Sequence, residues 1–585
     1  MSGRVSLARY TLREILWFVF FVAVACLAPK WMIAANCNVA QHQPPSEADK
    51  AMLVADYAKA ASLYQADLAS HPGDAELTAG LVHALLHQQK VREAADAVKA
   101  SLIAAPDSAA LISLRGEVEL RQGTPWIAAR SAFEAQKLDL CNPRNHLLLA
   151  DLSRISSMYA SSRKQLEIAY KLDAEDPDIR GEWIGTLPLH QRIAETEAYL
   201  SAPRGDDADD TRHWRMYLER LKKEAAEPHK ACHLVSTTET AEIPFVPLMR
   251  DATHIRAFGL DVKLNGRTSR LEIDTGAGGL TVSPSVAKHA GLKPFSQTEV
   301  NGVGDRGYQP AYSAYADSIR IGNLEFQDCA VEVLDSRSVL EDTDGLIGMN
   351  VFSRFLVTLD YPMRKLLLGP LPPRPGESAD EAFALKTGDA DRDDSDESGE
   401  PTKAAEQDKP TSKGTADAAS PGQTAPSAAA RKPSTHGPFD RYIAAEMKSY
   451  TPVYRVGHEL ILPAAINSQA LKLFILDTGS FATTISPQAA REVTKVHSEY
   501  DLKVKGISGD VDKLFTADEI TFNFAHLSQK DQSVISFDTS RISKDLGMEI
   551  SGFLGATTLD LLTIHIDYRD GLVGFDYDPK RGHRF

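Results

Sequence analysis

Two stretches of this 585-residue chain are built to one plan, and that duplication constrains the fold more than any other feature. The first reads LDVKLNGRTSRLEIDTGAGGLTVSP and the second ILPAAINSQALKLFILDTGSFATTISP. In each, a β-branched and apolar run meets a tight turn (Asn265-Gly266; Asn467-Ser468) and a second such run follows. Asp-Thr-Gly comes next, then a short apolar and Thr strand ending in Ser-Pro. Composition alone supplies Asp-Thr-Gly roughly 0.1 times in a chain this long. Two copies in matching surroundings are therefore informative, and the downstream spacing agrees. Asp274 precedes Gly348 of GLIGMNVF by 74 residues, and Asp477 precedes Gly555 of GFLGATTL by 78. Asp360 in VTLDY lies 86 residues after the first Asp, and Asp567 in IHIDY lies 90 after the second. The spacing predicts two homologous all-β units with one strand order, at 243–372 and 441–582.

The triplet has its own chemistry. A Gly two residues past the Asp permits a tight turn that lifts the carboxylate to a loop tip. Two carboxylates brought close together cannot both ionise and share one proton. The ionised one then draws a proton from water, while the protonated one polarises a carbonyl. No metal, cofactor or covalent nucleophile is required. Asp274 and Asp477 are the candidate catalytic pair, and their acid and base roles belong to the pair jointly. The residue after the triplet is Ala277 in one copy and Ser480 in the other. A Ser480 hydroxyl donated to Asp477 would favour the charged form there.

These residues resemble the retropepsin-like aspartic proteases, the family of retroviral proteases and, in two-lobed form, pepsins. The resemblance covers 245–372 and 445–582, nearly half the chain. It implies one catalytic Asp per lobe, with Thr275-Gly276 and Thr478-Gly479 locking the two loops together. It also implies support from the later apolar-Gly strands, Leu346-Ile347-Gly348 and Phe553-Leu554-Gly555. A flap hairpin belongs between these landmarks. Its candidates are 300–308, with Gly302, Gly304 and Tyr308, and 504–510, with Gly506 and Gly509; Tyr308 reads either as a cover over the dyad or as a core residue beside an ordinary turn. Exported bacterial proteins of this kind, some with helical repeats, look most similar. The implied activity is endopeptidase cleavage of a peptide or protein substrate. The lobes pair either within one chain or with their like in a homodimer, and a flexible tether favours the former. A rival reading makes the β units a non-catalytic dimer platform on an envelope scaffold, and another makes the chain's own linker its main substrate.

Ahead of these units, 45–225 is Ala- and Leu-rich without strand-like alternation. The phrases ASHPGDAEL, AAPDSAAL, LCNPRNHLL and AEDPDIRG place Pro72, Pro106, Pro143 and Pro177 at intervals of 34, 37 and 34 residues. Each proline follows an amphipathic helix pattern, and the period resembles tetratricopeptide repeats stacked as an α-helical solenoid. Such an array offers a groove to a protein partner or serves as a scaffold. Segments near 188–200 and 210–225 read as its cap.

Between the β units, 387–436 contains no Val, Ile, Leu, Met, Phe, Trp, Tyr or Cys. It has too little apolar surface to offset ordering entropy, so 373–440 reads as a disordered acidic, Pro-Ala-Ser linker. At the N-terminus, Arg4, Arg9 and Arg13 precede an apolar run at 15–28, the layout of a signal peptide or a membrane anchor within 1–35. The expectation is an exported protein, periplasmic or extracellular, or anchored and facing outward. A net charge of −16 argues against nucleic acid as a partner. The five cysteines, Cys26, Cys37, Cys141, Cys232 and Cys329, suit neither a zinc site nor a disulfide framework. Cys37 with Cys141, and Cys232 with Cys329, remain open as pairs. His289 and His458 have no catalytic spacing and read as surface or core residues.

Overall fold

The period of the helical half is carried by helix caps. Asp74, Ser108, Asn142 and Asp176 stand 34 residues apart, and each is an N-cap whose side chain accepts the backbone N–H of Leu77, Leu111, Asn145 or Ile179. Ala55, Gln89, Gly123 and Ser157, also 34 apart, take left-handed φ values of 59°, 60°, 70° and 59° just past a helix end. At all four the following N–H reaches back to the last turn, as in Asp56 to Ala51 and Lys90 to Leu85, which closes each helix the same way. Pro72 and Pro106 precede their caps by two residues, whereas Pro143 and Pro177 follow theirs by one. That shift alone stretches the middle proline interval to 37.

The computed structural model describes residues 5–7, 37–249, 251, 254–334, 343–375, 440–469 and 471–580. Of the segment read as signal or anchor, only Val5–Leu7 is described, as a short strand beside Leu527–Asp531. The stretch read as linker lies almost wholly outside the described residues. Among the described residues no helix is long and apolar enough to cross a membrane.

Helices run from Glu47–Leu53 and Tyr57–Ser70 through Ala75–His87, Val91–Ala104, Ala109–Arg121, Pro125–Leu138, Pro143–Ile155, Tyr159–Leu172, Pro177–Gly185 and Leu189–Ser201 to Ala208–Ala226. Small residues at Ala60, Ala94 and Ala128 are fully enclosed, again at the 34-residue step, and let neighbouring helices approach. A disulfide joins Cys37 to Cys141 in front of the helix Pro143–Ile155. Part of the array's surface is covered by the chain itself. Leu120, Leu148, Leu149, Leu152 and Ile155 share a buried cluster with Tyr454, Ile461, Ile475 and Phe553. The Glu549 N–H donates to the Arg121 carbonyl at 3.0 Å across that seam.

The β half holds two curled sheets. In one, the strands Ile255–Leu264, Arg267–Ile273, Gly345–Ile347, Leu280–Val282 and Leu324–Leu334 lie side by side. In the other, Glu459–Ile466, Leu471–Leu476, Gly552–Leu554, Thr484–Ile485 and Val534–Ser536 follow the same order. Cys232 and Cys329 form a disulfide at the edge of the first sheet. A third, six-stranded sheet is shared by both halves: Phe355–Asp360 pairs antiparallel with Thr563–Asp567, Val357 opposite Ile566 and Asp360 opposite Thr563. The landmark acids cap turns in that sheet. Asp360 Oδ1 accepts the Met363 N–H at 3.1 Å, and Asp567 Oδ1 accepts the Asp570 N–H at 3.1 Å. One apolar core, from Leu260 and Ile273 to Leu460 and Leu476, runs through both sheets and fixes them against each other.

Candidate active site

Each strand ahead of an Asp-Thr-Gly delivers its acid to the seam between the sheets. The Asp274 N–H donates to the Ile347 carbonyl at 3.1 Å, and the Asp477 N–H to the Leu554 carbonyl at 3.0 Å. Leu346-Ile347-Gly348 and Phe553-Leu554-Gly555 lie parallel to those strands and hold the loop bases. The two threonines are exchanged between the loops. Thr478 N–H donates to Thr275 Oγ1 at 3.0 Å, and Thr275 N–H donates to Thr478 Oγ1 at 3.1 Å. Each hydroxyl then donates onward, Thr275 to Leu476 O at 2.6 Å and Thr478 to Ile273 O at 3.2 Å. All four groups are buried and satisfied.

Locked this way, the tips place each carboxyl over the opposite glycine. A Cβ on Gly276 would stand 3.1 Å from Asp477 Cγ, and one on Gly479 would stand 2.5 Å from Asp274 Cγ. A Cβ at Gly479 would force Asp274 to move, and one at Gly276 would press on Asp477. The two carboxyls hydrogen-bond to one another. Burial pushes the Asp274 carboxyl well above its ordinary range, and the Asp477 charge adds to the effect. Burial, then the charge of Glu459, pushes Asp477 up to about 6, opposed by its bond with Asp274 and by backbone N–H groups. Asp274 Oδ1 accepts a single loop N–H, from Gly276 at 2.8 Å. Asp477 Oδ1 accepts two, from Gly479 at 2.9 Å and Ser480 at 3.0 Å. The second backbone N–H favours the charged form at Asp477 over Asp274.

The Ser480 hydroxyl does not supply this asymmetry. It donates to the Ala482 carbonyl at 3.1 Å, so the expected side-chain bond to Asp477 is replaced by one from the Ser480 backbone amide. Tyr308 also lies elsewhere than over the dyad. Its hydroxyl donates to Asp545 at 2.9 Å and its ring packs edge-on against His213, at 4.4 Å between centroids. His213, on the helix Ala208–Ala226, also contacts Glu299 at 3.1 Å, where Arg212 joins it.

The two flap candidates meet tip to tip. The Ser508 N–H donates to Val303 O at 3.0 Å, Arg306 N–H to Ser508 O at 2.9 Å, and Asp305 N–H to Asp510 O at 3.0 Å. The Ser508 hydroxyl donates to Asn301 Oδ1 at 2.8 Å and accepts the Gly302 N–H at 3.1 Å. Gly506 and Gly509 pair in a small hairpin, while 301–308 is an irregular loop joining the strands Lys293–Val300 and Gln309–Ile321. Two residues that spacing did not single out stand beside the dyad. His458 Nε2 lies 3.3 Å from the Gly276 carbonyl, and Glu459 follows it. They sit two strands upstream of Asp477, and no motif marks them.

Residues 260–351 match a family model described as Aspartyl protease, a span that takes in Asp274-Thr275-Gly276 and Leu346-Ile347-Gly348 and ends before Asp477. Among solved structures, a retropepsin-like aspartic protease from Rickettsia conorii is similar at 23% identity, over 22% of this chain and 91% of that chain, with a TM-score of 0.17. That likeness is too limited to carry an argument. No curated protein matches the chain. Over 260–351, the chain is similar to aspartyl proteases.

Proposed function

We propose that the chain is an aspartic endopeptidase whose dyad, Asp274 and Asp477, forms within one molecule from tandem retropepsin-like units. The observation that carries this reading is the pair of mutually hydrogen-bonded carboxyls at loop tips locked by Thr275 and Thr478. A fold with a purely structural task has no use for two buried acids that resist joint ionisation. Pairing within the chain is supported by the shared sheet, where Phe355–Asp360 and Thr563–Asp567 hydrogen-bond directly.

The chemistry follows from the charge division. A water between the carboxyls gives its proton to Asp477 as its oxygen attacks the peptide carbonyl, while Asp274 donates its proton to the carbonyl oxygen. The gem-diol intermediate collapses as Asp477 passes its proton to the leaving amine, the C–N bond breaks and a hydroxyl proton of the intermediate returns to Asp274, so the pair again holds one proton. The substrate is an extended polypeptide beneath the paired tips. The helical array acts as a brace on the second unit and the flap, with tetratricopeptide-like surface left for a partner. Disulfides at Cys37–Cys141 and Cys232–Cys329 support an oxidising, exported location.

The test is cleavage of dye-labelled, denatured casein from about pH 3 to about 8, with and without a pepstatin-like inhibitor. Activity that is inhibited and abolished by both Asp274→Asn and Asp477→Asn is the expected result. Equal rates in the wild type and both variants overturn the reading.

A further inference from the structure

Glu459 is a largely buried acid that this chemistry leaves unused. It opens the strand Glu459–Ile466, which pairs with Leu471–Leu476 and so helps to deliver Asp477. Its side chain is 16% exposed, and Oε2 is enclosed without a hydrogen-bond partner among the described residues. Oε1 lies 3.5 Å from His458 Nε2, the nitrogen that also approaches the Gly276 carbonyl at 3.3 Å. Both neighbours of Nε2 are acceptors, so that nitrogen carries a proton. The imidazole fills the space above the Asp274 loop, where a Cβ on Gly278 would stand 2.7 Å from Nδ1. His458 thus reaches from one sheet onto the other sheet's catalytic loop, with Glu459 behind it.

An unpaired buried carboxylate oxygen costs stability, so its retention calls for a use. Among the described residues, the charged and titratable groups around it are few. Arg455, on the facing strand Tyr454–Val456, donates to the carbonyls of Tyr568 and Gly457 at 2.5 and 3.1 Å and lies over the Tyr568 ring. Glu272, on the strand entering Asp274, is paired with Arg256 at 2.8 Å. Tyr361 and Tyr568 are held neutral by burial. The Glu459 charge raises the proton affinity of both dyad members.

We propose that Glu459, tied to the Asp274 loop through His458, is a positioning residue that sets the pH range in which the Asp274–Asp477 pair holds a single proton. The proposal rests on the aspartic-dyad reading. A negative charge beside the pair keeps one proton on it to higher pH. Glu459 touches no substrate atom in this scheme and acts only through the dyad.

The experiment is the pH profile of kcat/KM on denatured casein for wild type, Glu459→Gln and Glu459→Asp, with Asp274→Asn as the reference for the dyad. The neutral variant is expected to shift both limbs toward acid. Its rate relative to its own optimum, measured on the wild-type alkaline limb, falls by at least about threefold, the change made by half a pH unit. Glu459→Asp keeps the charge and stays near the wild-type profile. Should Glu459→Gln fail to fold, Glu459→Met, neutral and of similar volume, is read in the same way. Superposed profiles for wild type and a folded neutral variant overturn the proposal while leaving the dyad standing. An Asp274→Asn variant as active as wild type overturns the dyad reading itself.

Discussion

Thr275 and Thr478 trade hydrogen bonds across the seam, each backbone N–H donating to the other's hydroxyl oxygen, at 3.1 and 3.0 Å. The exchange uses both roles of each hydroxyl, since Thr275 also donates to Leu476 O and Thr478 to Ile273 O. Valine has the same shape without the polar atom. Thr275→Val leaves the Thr478 N–H and the Leu476 carbonyl buried and unpaired, at about 1–3 kcal/mol for each group. Thermal unfolding is expected to shift down accordingly, and casein cleavage is expected to fall further than the loss of folded protein explains, because the tips no longer hold the carboxyls in register. Cleavage that merely tracks the folded fraction would show that the exchange serves stability alone.

Ser480 separates a side-chain role from a backbone role. Its amide, at 3.0 Å, holds the Asp477 charge, whereas its hydroxyl is committed to Ala482 O. Ser480→Ala keeps the amide. The acidic limb of the pH–rate profile is therefore expected to stay in place, with stability lower by about 0.5–1.5 kcal/mol for the lost hydroxyl bond. A displaced acidic limb would return the asymmetry to the side chain.

Much of this arrangement is legible in the residues, for a physical reason. Asp-Thr-Gly and the apolar-Gly strands are local patterns whose chemistry needs those residue types at those spacings, so they stand out in one dimension. Caps at Asp74, Ser108, Asn142 and Asp176 are local too, yet the prolines beside them mislead because proline is accepted on either side of a helix start. His458 and Glu459 were silent because their importance arises from a contact between sheets, 182 residues apart for His458 and Gly276. The direction of the Ser480 hydroxyl and the seat of Tyr308 depend on nearby acceptors, Ala482 O and Asp545, that no spacing rule connects to them.

Several buried acids share the dyad's direction of shift, which fixes the sign of the pH dependence of stability. Burial pushes Asp560 up to about 7 and, with the Asp570 charge, Asp567 up to about 6. Asp477 also rises to about 6, and Asp274 lies well above the ordinary range. Each binds its proton more tightly folded than unfolded, so its stabilisation is complete below the unfolded value and is lost as pH rises through the folded one. Glu117 runs the other way: His83 and Arg144 outweigh its burial and hold it low, so its contribution disappears only in strong acid. Melting temperature is expected to be highest near about pH 4 and to decline toward about pH 7. A melting temperature that rises across that interval would contradict these shifts.

Gly304 tests whether the paired tips work as a unit. Its φ of 128° is open to glycine, and a Cβ there would stand 2.4 Å from the Ser508 carbonyl carbon and oxygen and 2.5 Å from Gly509 O. Those atoms belong to the opposite tip's backbone, so Gly304→Ala has to push the tips apart and break the Arg306 N–H to Ser508 O bond beside it. Gly266, with φ of 82° and nothing within 4 Å of its Cβ position, is the control for strain without collision, at about 1 kcal/mol for the backbone alone. If the tips close over substrate as proposed, Gly304→Ala is expected to raise KM for denatured casein several-fold with a melting temperature no lower than that of Gly266→Ala. If KM is the same in both variants, the tips do not have to meet for substrate to be held.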